Sequence, residues 1–96
     1  MSVLVTVHIY DNNLDRCVVK DVTLPLYPNC NDSLLLEDFG TKLKISNRIV
    51  GEYGVAVYCD ITKKGLITTR ADLFDRLRGD YGWVTHKKVE VADENR

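Results

Sequence analysis

The sequence predicts one α+β domain, on three observations. Residues 3–10 alternate apolar and polar positions with β-branched side chains, the pattern of a strand. Leu35, Phe39 and Leu43 recur every four residues, the spacing of an amphipathic helix. The stretch from Val55 to Ile67 reads as a strand, a tight turn and the start of a return strand, and the rest of the chain is arranged around it.

The chain has 96 residues, enough for one hydrophobic core and no second. Apolar residues make up 45% and charged residues 28%, which is ordinary for a globular protein that dissolves. Thirteen Lys and Arg stand against fourteen Asp and Glu, a net charge of −1. A polyanion-binding protein normally carries a basic excess, so the balance argues against nucleic acid as the partner and for a protein surface. Cys17, Cys30 and Cys59 are widely and irregularly spaced, which excludes CxxC zinc and redox motifs and implies no metal and no cofactor. The alternating N-terminal segment lacks the basic start and continuous apolar run of a secretory signal, and no stretch reaches the ~20 apolar residues of a membrane span. A reduced cytoplasmic protein with no membrane partner is the expectation. Asn31-Asp32-Ser33 matches the glycosylation acceptor pattern, which has no meaning without a secretory address.

Taken in order, Val3, Val5, Val7 and Ile9 define one face of a first strand, and Leu4, Thr6, His8 and Tyr10 the other. Asp11 to Asp15 is turn chemistry, because Asn and Asp tolerate left-handed geometry and bond their own backbone. A second strand spans Cys17 to Leu26, with Lys20 and Pro25 marking it as an edge. Asp32 or Ser33 caps the helix that carries Leu35, Phe39 and Leu43, and Ser46-Asn47 ends it. Gly40 lies inside that helix and weakens it by roughly 1 kcal/mol relative to Ala. Arg48 to Gly54 is irregular. After the turn Thr62-Lys63-Lys64-Gly65, Thr69 to Asp72 caps a short helix with Leu73, Phe74 and Leu77, closed by Gly79. Trp83 to Val91 is the last strand. The predicted core is Val5, Val7, Val22, Leu35, Phe39, Leu43, Val57, Leu73 and Leu77.

The resulting order, ββαββ(short α)β, resembles the β-grasp fold of ubiquitin and its relatives over Val3 to Val91. Ile61-Thr62-Lys63-Lys64-Gly65-Leu66 is similar to that family's turn between its third and fourth strands, and Thr69 to Leu77 to its short loop-and-helix segment. The resemblance implies a mixed sheet with the last strand parallel to the first and the main helix packed on one face. It also implies a non-enzymatic protein of residues 1–91 with a flexible tail, 92–96, acting by protein–protein contact. One such role is a protein modifier that works with an activating enzyme and has its tail processed by a peptidase near Ala92 or Asp93. The chain lacks the family's diglycine tail, since no glycine follows Gly82, and Arg76-Leu77-Arg78-Gly79 precedes the last strand. The other role is a stand-alone adaptor or inhibitor that docks on a target protein through the open sheet face or an edge strand.

The family's docking surface, on the open face of the sheet, corresponds here to Tyr58 and Asp60; together with His86 and Lys88 they are predicted to be exposed on one sheet face and to bind the partner protein. Cys59 and His86 read as a core cysteine and a strand histidine rather than a catalytic pair, because no third group orients them and nothing favours the thiolate. Lys63, Lys64, Lys87 and Lys88, with Tyr10, Tyr58 and Trp83, carry the remaining alternative, a small nucleic-acid-binding protein.

Overall fold

The computed structural model describes residues 2–85 except 38, 41 and 53. Its elements are β1 (Val3–Asp11), β2 (Arg16–Leu24), β3 (Ser33–Leu35), β4 (Lys42–Gly51), β5 (Gly54–Asp60), α1 (Ile67–Asp80) and β6 (Val84–Thr85). They form an α+β domain: a curled six-stranded sheet in the order β3-β4-β5-β1-β2-β6, with one helix. β1 and β5 run parallel and all other neighbours antiparallel, so the sheet is mixed.

β1 and β2 form the expected hairpin, with Val5 opposite Val22 and Ile9 opposite Val18. Its turn is built by Asp11, whose Oδ1 accepts from the amides of Asn13 and Leu14 at 2.9 and 3.2 Å. Asp15 completes the turn in the left-handed region at φ 53°, which a short polar side chain tolerates.

The main helix expected around Leu35, Phe39 and Leu43 is not a helix. Those residues belong to β3, to the following loop and to β4. Leu34 and Leu36 are buried while Leu35 is 68% exposed, and on β4 Leu43 and Ile45 are buried between exposed Lys42 and Lys44. That is period two. Lys42-Leu43-Lys44-Ile45 is itself a strand signal, and it wins over a four-residue spacing shared by only three side chains. Gly40 sits in the loop at φ +80° and its amide donates to the Leu36 carbonyl at 3.1 Å, so it serves a β3–β4 turn and not a helix interior. The element order is therefore βββββαβ. Leu34→Ala is expected to cost about 2–5 kcal/mol, whereas Leu35→Ser should stay within roughly 0.5 kcal/mol of the parent. Chemical denaturation of the two variants separates the strand from the helix, which would bury Leu35.

The stretch 48–54 is no irregular segment: it holds the end of β4 and the start of β5, with Gly51 opposite Gly54. No return strand follows Lys63-Lys64-Gly65. α1 begins at Ile67, ahead of the Thr69–Asp72 box, after Leu66 in extended conformation without a side-chain cap. The helix runs through Gly79 to Asp80. Gly82, at φ +80°, turns the chain out, and the amides of Tyr81 and Trp83 both donate to the Leu77 carbonyl at 3.2 and 3.3 Å. The strand parallel to β1 is β5, while the last described strand, β6, pairs antiparallel with β2. The reason lies in α1, which directly follows β5 and returns the chain on the β2 side. There Trp83 is buried beneath Lys20, whose Nζ lies 5.9 Å from the ring centroid and donates to the Tyr81 carbonyl at 2.9 Å.

The core gathers Val5, Val7, Ile9, Val18, Val57 and Cys59 of the central strands, Leu34 of β3, Phe74 and Leu77 of α1, and Leu36, Phe39 and Trp83 of the connecting segments. Val22 and Leu73 are half-buried against it. Arg70, Phe74 and Leu77 fall at i, i+4 and i+7, so one stripe of α1 is turned inward.

Within this core lies an ion pair. Asp11 and Arg70 are 1% and 5% exposed, and the Arg70 Nε donates to the Asp11 carboxylate. Arg70 Nη1 also donates to the carbonyls of Lys64 and Gly65 at 2.9 and 2.7 Å. A buried charge is tolerated when its hydrogen-bonding capacity is met. Here the pair ties the β1–β2 turn, the β5–α1 turn and the helix into one unit.

Candidate functional site

The sheet face opposite α1 is built by strand alternation alone. Register places Leu4, Thr6, His8 and Tyr10 of β1 beside Ala56, Tyr58 and Asp60 of β5 and beside Cys17, Val19, Asp21 and Thr23 of β2. A register shift between Ile45 and Asn47 brings Asn47 and Ile49 of β4 to the same face, opposite Tyr58 and Ala56.

Tyr58 is half-buried on this face. Its ring stacks on His8, with centroids 4.3 Å apart and planes inclined by 17°, and the stack covers His8 to 9% exposure. Ser46 Oγ donates to the Tyr58 carbonyl at 2.9 Å and lies 3.4 Å from the Tyr10 hydroxyl, which ties β4, β5 and β1 together across the face. Asp60 is exposed, but its carboxylate is engaged locally. It accepts from the Thr62 amide at 2.8 Å and from the Thr62 hydroxyl, which in turn accepts from the Asn12 amide at 2.9 Å. Asp60 therefore organises the turn after β5. His86, Lys88, Ala92 and Asp93 lie outside the described residues.

Accessible apolar surface lies elsewhere on the face, at the end where β4 meets β5. Leu4, Thr6, Asp21, Tyr27, Ile49 and Ala56 line a shallow groove of about 460 Å³. Leu4 is 60% and Ile49 50% exposed, and Thr6 Oγ1 donates to Asp21 Oδ1 at 2.6 Å along the rim. The sequence carries a signal for it, because both faces of residues 3–10 hold apolar groups. Ile49 lies within 48–54, where the sequence by itself shows no strand pattern.

Cys59 is fully buried between Ile9 and Ile45 in the ladder, and burial pushes its thiol up to about 11. Thiolate chemistry is suppressed there at neutral pH. Cys30 is exposed and Cys17 buried. Iodoacetamide at neutral pH is expected to alkylate Cys30 alone in the native protein, with all three cysteines labelled in denaturant, read by peptide mass. The sign of the pH effect follows from the raised folded value: Cys59 favours the fold fully below the unfolded thiol value, and that contribution is lost as pH rises toward 11. Trp83 is a core residue and offers no stacking platform. Lys63 and Lys64 are exposed, with Lys64 Nζ donating to the Lys42 carbonyl at 3.3 Å. Among the described residues no three His, Cys, Asp or Glu side chains gather at metal-binding distance, and no helix is long and apolar enough to cross a membrane.

No protein-family model, no curated protein and no solved structure matches the chain.

Proposed function

We propose that this protein is a non-enzymatic domain that acts by protein–protein contact through the sheet face opposite α1. The observation that carries the reading is the exposed Leu4–Ile49 groove rimmed by Thr6, Asp21 and Tyr27, next to the ordered His8–Tyr58 stack. An apolar centre with a polar rim on a rigid sheet is the anatomy of an interface. A net charge of −1 favours a protein partner over a polyanion.

Two jobs fit that surface. A target-binding adaptor or inhibitor needs nothing beyond the face. A ubiquitin-like modifier, handled by an activating enzyme and a peptidase acting near Ala92 or Asp93, draws support from the N-terminal hairpin and from the parallel pairing of β1 with β5. The β-grasp relationship places a helix between the second and third strands, and here that position is occupied by β3 and β4. The docking face therefore supports the reading more strongly than kinship does.

Intact mass and co-purification of the protein from its native cells separate these jobs. A stable non-covalent complex that is lost on Leu4→Glu identifies an adaptor or inhibitor working through this face. A species trimmed near Ala92, or a ladder of covalent conjugates, identifies a modifier. Salt-dependent oligonucleotide binding with neither result would replace both with the nucleic-acid reading.

A further inference from the structure

β4 is paired on its inner side by β5 along Ile45–Gly51, but on its outer side by β3 only at Lys42, Leu43 and Lys44. Asn31 and Asp32 extend the outer pairing by one residue, bonding the Ile45 carbonyl and amide at 2.8 and 3.0 Å. Beyond that point, among the described residues, no backbone bond from another element reaches the outer side of β4. Gly51 and Gly54 pair at the end of the β4–β5 ladder, separated by two residues in the chain, and residues in that position exchange hydrogen bonds. Because bonding direction alternates along a strand, Ile49 directs its peptide groups toward β5, and Arg48 and Val50 direct theirs outward. The Arg48 amide is bonded to Asn47 Oδ1 at 2.9 Å. The Arg48 carbonyl and both peptide groups of Val50 are left facing out.

Exposed edges of this kind are normally blunted by lysine, proline or a covering segment. This one instead presents Ile49 and Val50, 50% and 65% exposed, on opposite faces of the sheet. Only another extended backbone can complement such a row of peptide groups. Charge narrows the occupant: β4 carries Lys42, Lys44 and Arg48 and no carboxylate. A second copy of β4 would bring the same three cations to its own image, whereas an acidic strand is complementary.

We propose that the outer edge of β4 from Arg48 to Gly51 takes an acidic extended peptide of a partner protein, which adds to the sheet in line with β3. The strand would set one apolar side chain beside Ile49 at the Leu4 groove and another beside Val50. This inference rests on the protein-binding reading above and specifies the place and chemistry of the contact.

The probe is a short end-blocked peptide alternating valine and glutamate, compared with its valine–lysine counterpart and with a version N-methylated at alternate amides. Amide hydrogen exchange of Val50 and fluorescence anisotropy at two salt concentrations are the readouts. The glutamate peptide should bind and slow Val50 exchange by about tenfold, more weakly at high salt, while the lysine and N-methylated peptides do neither. Val50→Pro removes the outward donor on an edge strand and should abolish binding while leaving the circular dichroism of the fold unchanged. If that variant does not fold, the N-methylated peptide carries the test alone. Equal binding of the N-methylated peptide, or none by the glutamate peptide, overturns the proposal. Val50 protection that rises with protein concentration alone also overturns it, in favour of a second copy. A native partner whose footprint covers Tyr58 and Leu4 but leaves Val50 exchanging freely removes the edge site while leaving the protein-binding function standing.

Discussion

Arg70→Met is expected to lower stability by about 3–5 kcal/mol, because it leaves the Asp11 carboxylate buried without its cation. Asp11 is 1% exposed, so water cannot replace the guanidinium. The same change removes the donors held by the Lys64 and Gly65 carbonyls and so releases the turn that delivers α1. Asp11→Asn keeps an oxygen for the Asn13 and Leu14 amides but strands the Arg70 cation, and should cost a comparable amount. The double variant should lose clearly less than the sum of the singles, since neither unpaired charge remains. Urea unfolding, followed by emission of the single tryptophan, Trp83, measures all three. Losses below about 1 kcal/mol would mean that the pair is solvated in solution and contributes as a surface bridge does.

The second large effect is Phe74→Ala, expected to cost about 3–5 kcal/mol. Phe74 is 1% exposed and sits between Arg70 and Leu77 on the buried stripe of α1. The helix has little local support at its start: Leu66 provides no side-chain cap, and its first turn has no acidic residue. Its stability comes from packing, so loss of the ring should also loosen the Trp83 contact that follows the helix. A red-shifted tryptophan emission before the main urea transition would report that step. A domain of this size is stable by roughly 5–10 kcal/mol, so either substitution should remove a large share of it and lower the urea midpoint markedly. A Phe74→Ala protein that unfolds at the parent's urea midpoint would show that α1 is not anchored by this stripe.

How much of this was legible in the sequence differs by element. The β1–β2 hairpin was legible because β-branched alternation and the Asp11–Asp15 turn are local signals that agree with each other. The helix at Leu73–Leu77 was legible from its stripe, although not its start, because nothing caps it. The segment 33–46 misled for a definite reason. Leu35, Phe39 and Leu43 repeat at helical spacing, and the competing alternation of Lys42 to Ile45 is four residues long. Which period prevails depends on whether neighbouring strands supply backbone partners, and β5 and β3 do so only once the sheet is assembled.

The candidate face shows the same division. That Tyr58 and Asp60 share a face with Thr6, His8 and Tyr10 follows from period two plus the register of β1 and β5. That Tyr58 is half-covered by His8, and that Asp60 serves its own turn, are distances between strands and have no local signature. Asp11 read as an ordinary turn residue; only the arrival of Arg70, 59 positions away, makes it half of a buried pair. By itself the sequence determined an α+β chain, its first hairpin, the inward side of β1 and the absence of a CxxC motif, because each of these is written within a few consecutive residues. The tertiary structure alone decided that β3 and β4 are strands, that β5 is the parallel partner of β1, and that beyond Ile45 the outer side of β4 meets no other strand among the described residues. Those outcomes depend on which distant segments satisfy one another's backbone groups and bury one another's side chains.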